Sequence, residues 1–115
     1  MHRLVFPEGM TLRNRDIVER VGVTRHAWER FVERYIAAFC KEHAPSEQIW
    51  FINKLSECFR RAKQIQPSEE VKKAHQLSHD NRPVAYFKDE VSGICFIVSD
   101  SFRRSATIIT VVPNL

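Results

Sequence analysis

Glycine is scarce in this chain: Gly9, Gly22 and Gly93 are the only three among 115 residues, and they are scattered. No Gly-rich loop can be assembled from them to cradle a phosphate chain, so cofactor-dependent nucleotide chemistry is not expected. Cysteine is equally sparse. Cys40, Cys58 and Cys95 are odd in number and lack any close paired spacing, which excludes a disulfide framework and a zinc knuckle. They read as buried free thiols in a reducing cytosol, and their apolar surroundings disfavour a thiolate nucleophile. Long apolar runs are missing too. No stretch approaches the roughly 20 residues of a membrane span. The opening "MHRLVFPEGMTLRNRD" places charge soon after a short apolar run, unlike a signal peptide. The expectation is a soluble, cytoplasmic protein without internal repeats or low-complexity tracts.

What the chain does hold is enough apolar content for one core. With 43% hydrophobic residues in 115, a single domain over residues 1–115 is expected, and two are not. Lys and Arg number 18 against 14 Asp and Glu, a net charge of +4. Twelve of the cations are arginine. This bias permits a phosphate-bearing partner, although interspersed acids prevent the dense basic stripe of a nucleic-acid-coating protein.

Pro and Ser punctuate the chain. "HAPSEQ" separates two helical patterns, "QPSEE" opens a third and "SHDNRP" ends it. After Pro83 the runs "VAYFK", "GICFIVS" and "ATIITVV" are β-branched and aromatic, broken by "DEVSG" and "DSFRRS". These predict an antiparallel meander. The predicted fold is α+β, with about three helices within residues 24–80 packed on a three- or four-stranded antiparallel sheet over about 84–112. "IVERVGV" before Thr24 is the candidate fourth strand.

In the first helix Thr24 is the expected N-cap. Trp28, Phe31, Val32, Tyr35, Ile36 and Phe39 follow as one stripe at the helical period. The second is expected to start at Ser46 as cap and to bury Phe51, Ile52, Leu55, Phe59 and Ala62. Arg60, Arg61 and Lys63 lie near its C-terminal end, where cations suit the dipole. The third, from Ser68 to about His79, has Glu69 and Glu70 in its first turn and little to bury beyond Val71, Ala74 and Leu77.

Two of the strands are apolar on both faces. Ile94, Phe96 and Val98 alternate with Cys95 and Ile97, and Ile108 and Val112 with Ile109 and Val111. Such a sheet is covered on both sides. Helices cover one face; the N-terminal segment, a partner in a groove, a dimer mate or the domain itself covers the other.

The stretch "TRHAWERFVERY" from Thr24 to Tyr35 carries the candidate chemistry. At about 100° per residue, His26, Arg30 and Arg34 run down the side away from the apolar stripe. They form either a solvated face with ion pairs to Glu29 and Glu33 or a phosphate-handling site. In the second reading, the positive end of the helix dipole keeps His26 neutral as a base. Arginine's planar fork of donors suits a phosphodiester. Metal-independent RNA cleavage needs little more: a base for the 2′-hydroxyl proton, cations for the charge on phosphorus, and an acid or water for the leaving oxygen.

The pattern T-x-H-A-x-x-R-F-x-x-R, here Thr24, His26, Ala27, Arg30, Phe31 and Arg34, precedes a helical middle and a C-terminal Y…G-x-x-F-I-V…I-T-V-V-P. Together they resemble small bacterial and phage proteins with a RelE-like or BrnT-like ribonuclease-toxin fold. The resemblance implies a helix pair on a twisted antiparallel sheet, metal-independent endoribonuclease activity on RNA, and an antitoxin as protein partner. It carries over His26, Arg30 and Arg34 on the helix as catalytic residues, with Tyr86 and Thr110 on strands. The insert of two helices before the sheet is bulkier than in the compact toxins.

Other residues admit nucleic-acid or metal contacts. Phe102, Arg103 and Arg104 lie in a predicted hairpin turn, where an aromatic beside two arginines can stack on a base and hold its phosphate. Arg82, with His75 and His79, is placed to edge the same groove. His75 and His79 are also spaced to share a metal with Asp80. However, Gln76 stands where a zinc-protease motif needs glutamate and no third ligand is visible, so no metal is expected. The alternative to an enzyme is a noncatalytic phage or mobile-element interaction protein that uses the doubly apolar sheet to form a homodimer or hold a partner strand.

Overall fold

A computed structural model describes residues 5–40, 47–78, 84–99 and 106–113, without the side chains of 75–78. The elements in chain order are β1 (Thr11–Asn14), β2 (Ile17–Val23), α1 (Arg25–Phe39), α2 (Gln48–Arg61) and β3 (Lys63–Ile65). They are followed by α3 (Glu69–Ser78), β4 (Val84–Lys88), β5 (Ile94–Ser99) and β6 (Thr107–Pro113). The class is α+β, as the sequence predicts. Among the described residues, however, the sheet has six strands in the order β1-β2-β6-β5-β4-β3, where three or four antiparallel strands are predicted.

The extra strands sit at the two edges. β1 alternates exposed Thr11 and Arg13 with buried Leu12 and Asn14, so one of its two inward residues is polar and the hydrophobic alternation is hidden. β3 has three residues, of which Lys63 and Gln64 are exposed. The segment "IVERVGV" does form a strand, β2, but it joins β6 in parallel through Gly22 opposite Thr107 and Val23 opposite Ile108. The other pairings are antiparallel.

Thr24 sets the position of α1 against this sheet. Its backbone N–H donates to the Ile108 carbonyl at 3.1 Å and its hydroxyl donates to the Ile109 carbonyl at 3.3 Å. The same hydroxyl oxygen accepts from the Ala27 N–H at 3.1 Å, the N-cap bond that the sequence predicts. The helix then buries Ala27, Trp28 and Phe31. α2 begins after Glu47, which makes no side-chain cap bond; Ser46, the predicted cap, lies outside the described residues. Phe51, Leu55, Cys58 and Phe59 are its buried residues, while Ile52 is only partly buried. In α3, the Ser68 hydroxyl accepts from the Val71 N–H, and the acidic first turn is as predicted.

The main core lies between α1, α2 and one face of the sheet. Phe31 stacks on Phe96 at 6.3 Å between centroids. Phe59 meets Phe96 edge-on at 5.2 Å and Phe87 at 6.1 Å. The sheet curls so that β1 also reaches α2. The Asn14 side-chain amide donates to the Phe59 and Ala62 carbonyls at 2.7 and 2.9 Å. The Phe59 carbonyl also accepts the Ala62 N–H at 3.2 Å, so the amide adds a second donor there and supplies one to Ala62 at the helix end, where carbonyls lack the usual helical partner.

The opposite face has its own smaller cluster of Tyr86, Cys95 and Ile97, flanked by Ile65 of β3 and Val71 of α3. Cys95 and Ile97 are fully buried within the single chain, so the centre of the second face is covered by this domain. A bulge between Ile97 and Val98 shifts the pairing with β6. Ile108 and Val111 consequently share the helix side, and Ile109 and Val112 the other. Strict alternation predicts a different division, with Ile108 grouped with Val112.

Candidate functional site

The first turn of α1 is held to β6 by Thr24, and the residues after it inherit that fixed position. His26 is exposed there. Arg30 and Arg34 follow at one-turn intervals, but each step of four advances about 40° around the axis. The row therefore drifts from solvent at His26 towards the core flank at Arg34, which is half-buried. Its Nε is enclosed and has no hydrogen-bond partner among the described residues. Arg30 donates to Glu33 at 3.1 Å, in an exposed pair of little energetic value. Arg25 lies 5.3 Å from the Phe6 ring and 3.6 Å from Glu8.

Tyr86 and Thr110 are not in this neighbourhood. Both are buried. Tyr86 pairs with Ile97, and Ile97 with Thr110, which places all three on the sheet face that α1 and α2 do not cover. Burial pushes the Tyr86 phenol above its ordinary pKa, with a further rise from Cys95. The structure brings His26, Arg30 and Arg34 together on one helix and puts the two strand residues across the sheet from them. Arg82, Phe102, Arg103 and Arg104 lie outside the described residues, as do His79, Asp80 and the side chain of His75. Among the described residues no three His, Cys, Asp or Glu side chains converge for a metal.

Among the described residues the most highly organised polar cluster is elsewhere, where the turn after β4 meets the end of α2. Asp89 is 1% exposed. It accepts from Arg61 Nε and Nη2 at 2.7 and 2.9 Å and from the Ser92 hydroxyl at 2.6 Å. The Val91 and Ser92 N–H groups also donate to it, both at 3.3 Å. Burial by itself would raise the Asp89 pKa, but the hydrogen bonds from Arg61 and Ser92 and the charge of Arg61 outweigh it and hold the carboxyl below its ordinary value. Cys58 adjoins the cluster. Burial drives its thiol up to about 11; Ser92 and Arg61 oppose this, and Asp89 adds to the rise.

In the sequence these residues look ordinary, because Arg61 ends a helix and "DEVSG" reads as a solvated turn. The available signal was Asp three residues before Ser, a spacing at which Asp oxygens can accept from turn amides. With every carboxylate lone pair engaged by protein donors, the cluster suits clamping a hairpin to a helix better than proton transfer.

The chain matches no protein-family model, no curated protein and no solved structure.

Proposed function

We propose that the protein acts on RNA as a metal-independent endoribonuclease of toxin type, with the outer row of α1 facing the phosphate. The observation that carries this reading is the exposed His26 in a first turn fixed by Thr24, followed one turn on by Arg30 and, turned towards the core flank, by half-buried Arg34. In this scheme His26 takes the 2′-hydroxyl proton and the 2′-oxygen attacks the adjacent phosphorus. Arg30 and Arg34 balance the charge on the phosphate oxygens. The 5′-oxygen leaves with a proton from water or from the imidazolium. The products are a 2′,3′-cyclic phosphate and a 5′-hydroxyl end. Arg30 must exchange Glu33 for phosphate, which costs little because that pair is exposed. Tyr86 and Thr110 have no step in this scheme, since they face the other side of the sheet.

The test is incubation with a mixed RNA pool in EDTA, beside His26→Ala, with the ends mapped. Cleavage by the parent alone, leaving cyclic phosphates, supports the scheme; equal cleavage by both, or none by either, removes it. The second reading, a noncatalytic interaction protein with an antitoxin-like partner or a second copy, draws on the apolar end of the helix pair. There Phe39 and Ile49 are exposed beside the contact of Tyr35 with Trp50. Harmless expression as a stable dimer or heterocomplex favours that reading; toxicity on expression favours the ribonuclease.

A further inference from the structure

Two of the three α1 arginines, Arg25 and Arg30, are in ion pairs, whereas among the described residues a second group of arginines is in none. Arg13 and Arg15 are exposed on and just after β1, and Arg13 lies across from the Val18–Arg20 stretch of β2, where the register slips. Arg20 is exposed as well. The Arg15 N–H donates to the carbonyl of Arg60 at 3.3 Å, which joins the hairpin and the end of α2 into one surface. Among the described residues none of these four arginines has an ion pair, although Asp16 and Glu19 belong to the same hairpin. Like charges across a strand pair are unfavourable, and Arg13 and Arg20 face this cost without a direct ion pair among the described residues.

From Arg60 a groove of about 460 Å³ runs along α2, lined by Trp50, Asn53, Lys54, Ser56, Glu57 and Arg60. Trp50 is half-buried. The Lys54 ammonium stands 5.4 Å from its ring centroid and 3.3 Å from Glu57. An acidic peptide would use the cations but not a half-open indole beside an amide. A strand of nucleic acid uses both, since phosphates take the arginines and a base takes the aromatic face when the Lys54 side chain moves off it to a phosphate.

We infer that the β1–β2 hairpin and the α2 groove form a single-stranded RNA track, in which Arg13, Arg15 and Arg60 hold phosphates and Trp50 with Asn53 takes a base. The inference relies on the RNA reading for the choice of polymer and is independent of cleavage at His26.

The probe is a fluorescent 12-nucleotide 2′-O-methyl oligouridylate, which cannot be cleaved through its 2′-oxygen, titrated by anisotropy across a salt series. Each phosphate neutralised on a single strand contributes about 0.7 to the slope of log affinity against log salt. The triple variant Arg13→Gln/Arg15→Gln/Arg60→Gln should therefore lower the slope by about 2, while the triple Arg→Lys variant keeps it. Only Trp28 and Trp50 are present and Trp28 is 2% exposed, so quenching of indole emission on binding reports Trp50.

An unchanged slope in the Gln variant with its thermal midpoint intact, binding without quenching, or no binding by the parent overturns the track. A parent that binds in this way but cleaves nothing supports the track and removes the ribonuclease scheme. Cleavage that persists in a Gln variant with the parent's salt slope does the reverse.

Discussion

Replacing Asp89 by Asn keeps the shape of the buried side chain and removes its charge, which isolates what the clamp between the β4–β5 turn and α2 contributes. The new amide nitrogen cannot accept from Arg61, so one of the 2.7 and 2.9 Å bonds is lost and the guanidinium faces a donor. Breaking a buried pair from one side costs about 3–5 kcal/mol. The Arg61 side chain is 40% exposed and can rehydrate, and Asn retains an acceptor for Ser92, so about 2–3 kcal/mol is expected. That corresponds to a fall of roughly 10 °C in thermal midpoint for a domain of this size.

The assay is urea unfolding followed by tryptophan emission, at pH 7 and down to pH 3. Because the folded pKa of Asp89 lies below its unfolded value of about 3.9, the parent's clamp is whole above about pH 5. Its contribution is lost as the pH falls through the unfolded value towards the folded one. Asp89→Asn lacks that acid-linked loss, so the stabilities of the two proteins should converge towards pH 3. A difference below about 0.5 kcal/mol at pH 7, or one that does not shrink in acid, would refute the account of Asp89 as an ionised clamp.

Further outcomes follow from other contacts. Asn14→Ala should cost about 1–3 kcal/mol, because the Ala62 carbonyl loses its side-chain donor inside the fold and the Phe59 carbonyl is left with the Ala62 N–H alone; a hydrogen-exchange measurement should show the last turn of α2 loosening first. Thr24→Ala should cost about 1–2 kcal/mol through the lost cap, and Thr24→Ser should recover most of it in thermal melts. Burial pushes Cys95 up to about 12 and Cys58 up to about 11. A thiol reagent at pH 8 should therefore label half-buried Cys40 before either, and stability should decline as pH rises above about 8.5, where an unfolded thiol begins to ionise. His26→Ala should shift stability by less than about 0.5 kcal/mol, since the side chain is exposed; a larger loss in urea unfolding would give His26 a structural role.

How legible these features are in the sequence depends on how local their causes are. The cap at Thr24 and the stripe through Trp28, Phe31 and Tyr35 depend on neighbours within one or two turns, and both are readable. The double apolar character of β5 is readable too, and so is its coverage on two sides. Which element supplies the coverage is not, because that depends on where α3 and β3 fold back. β1 escapes recognition because Asn14 is polar yet inward, and its reward comes from carbonyls 45 and 48 positions away.

The parallel seam between β2 and β6 is similarly remote, and the bulge at Ile97 and Val98 reverses the face of Val111 and Val112 that simple alternation assigns. Among the candidate site residues, the helix row was visible as a row. That Tyr86 and Thr110 stand across the sheet from it depends on strand register and coverage, which spacing along the chain does not specify.

The seam also bears on how the chain reaches this state. Among the described strands β2 is hydrogen-bonded to β1 and β6, and Thr24 docks through carbonyls 84 and 85 positions later. During synthesis, the hairpin and α1 exist long before the strand that receives them. Loop closure over that span is an entropic cost paid before any contact rewards it, and folds rich in such distant pairings form slowly. A nascent chain lacking residues 107–113 therefore carries His26 on a helix that can pack on α2 and β5 but has no carbonyls to fix its first turn.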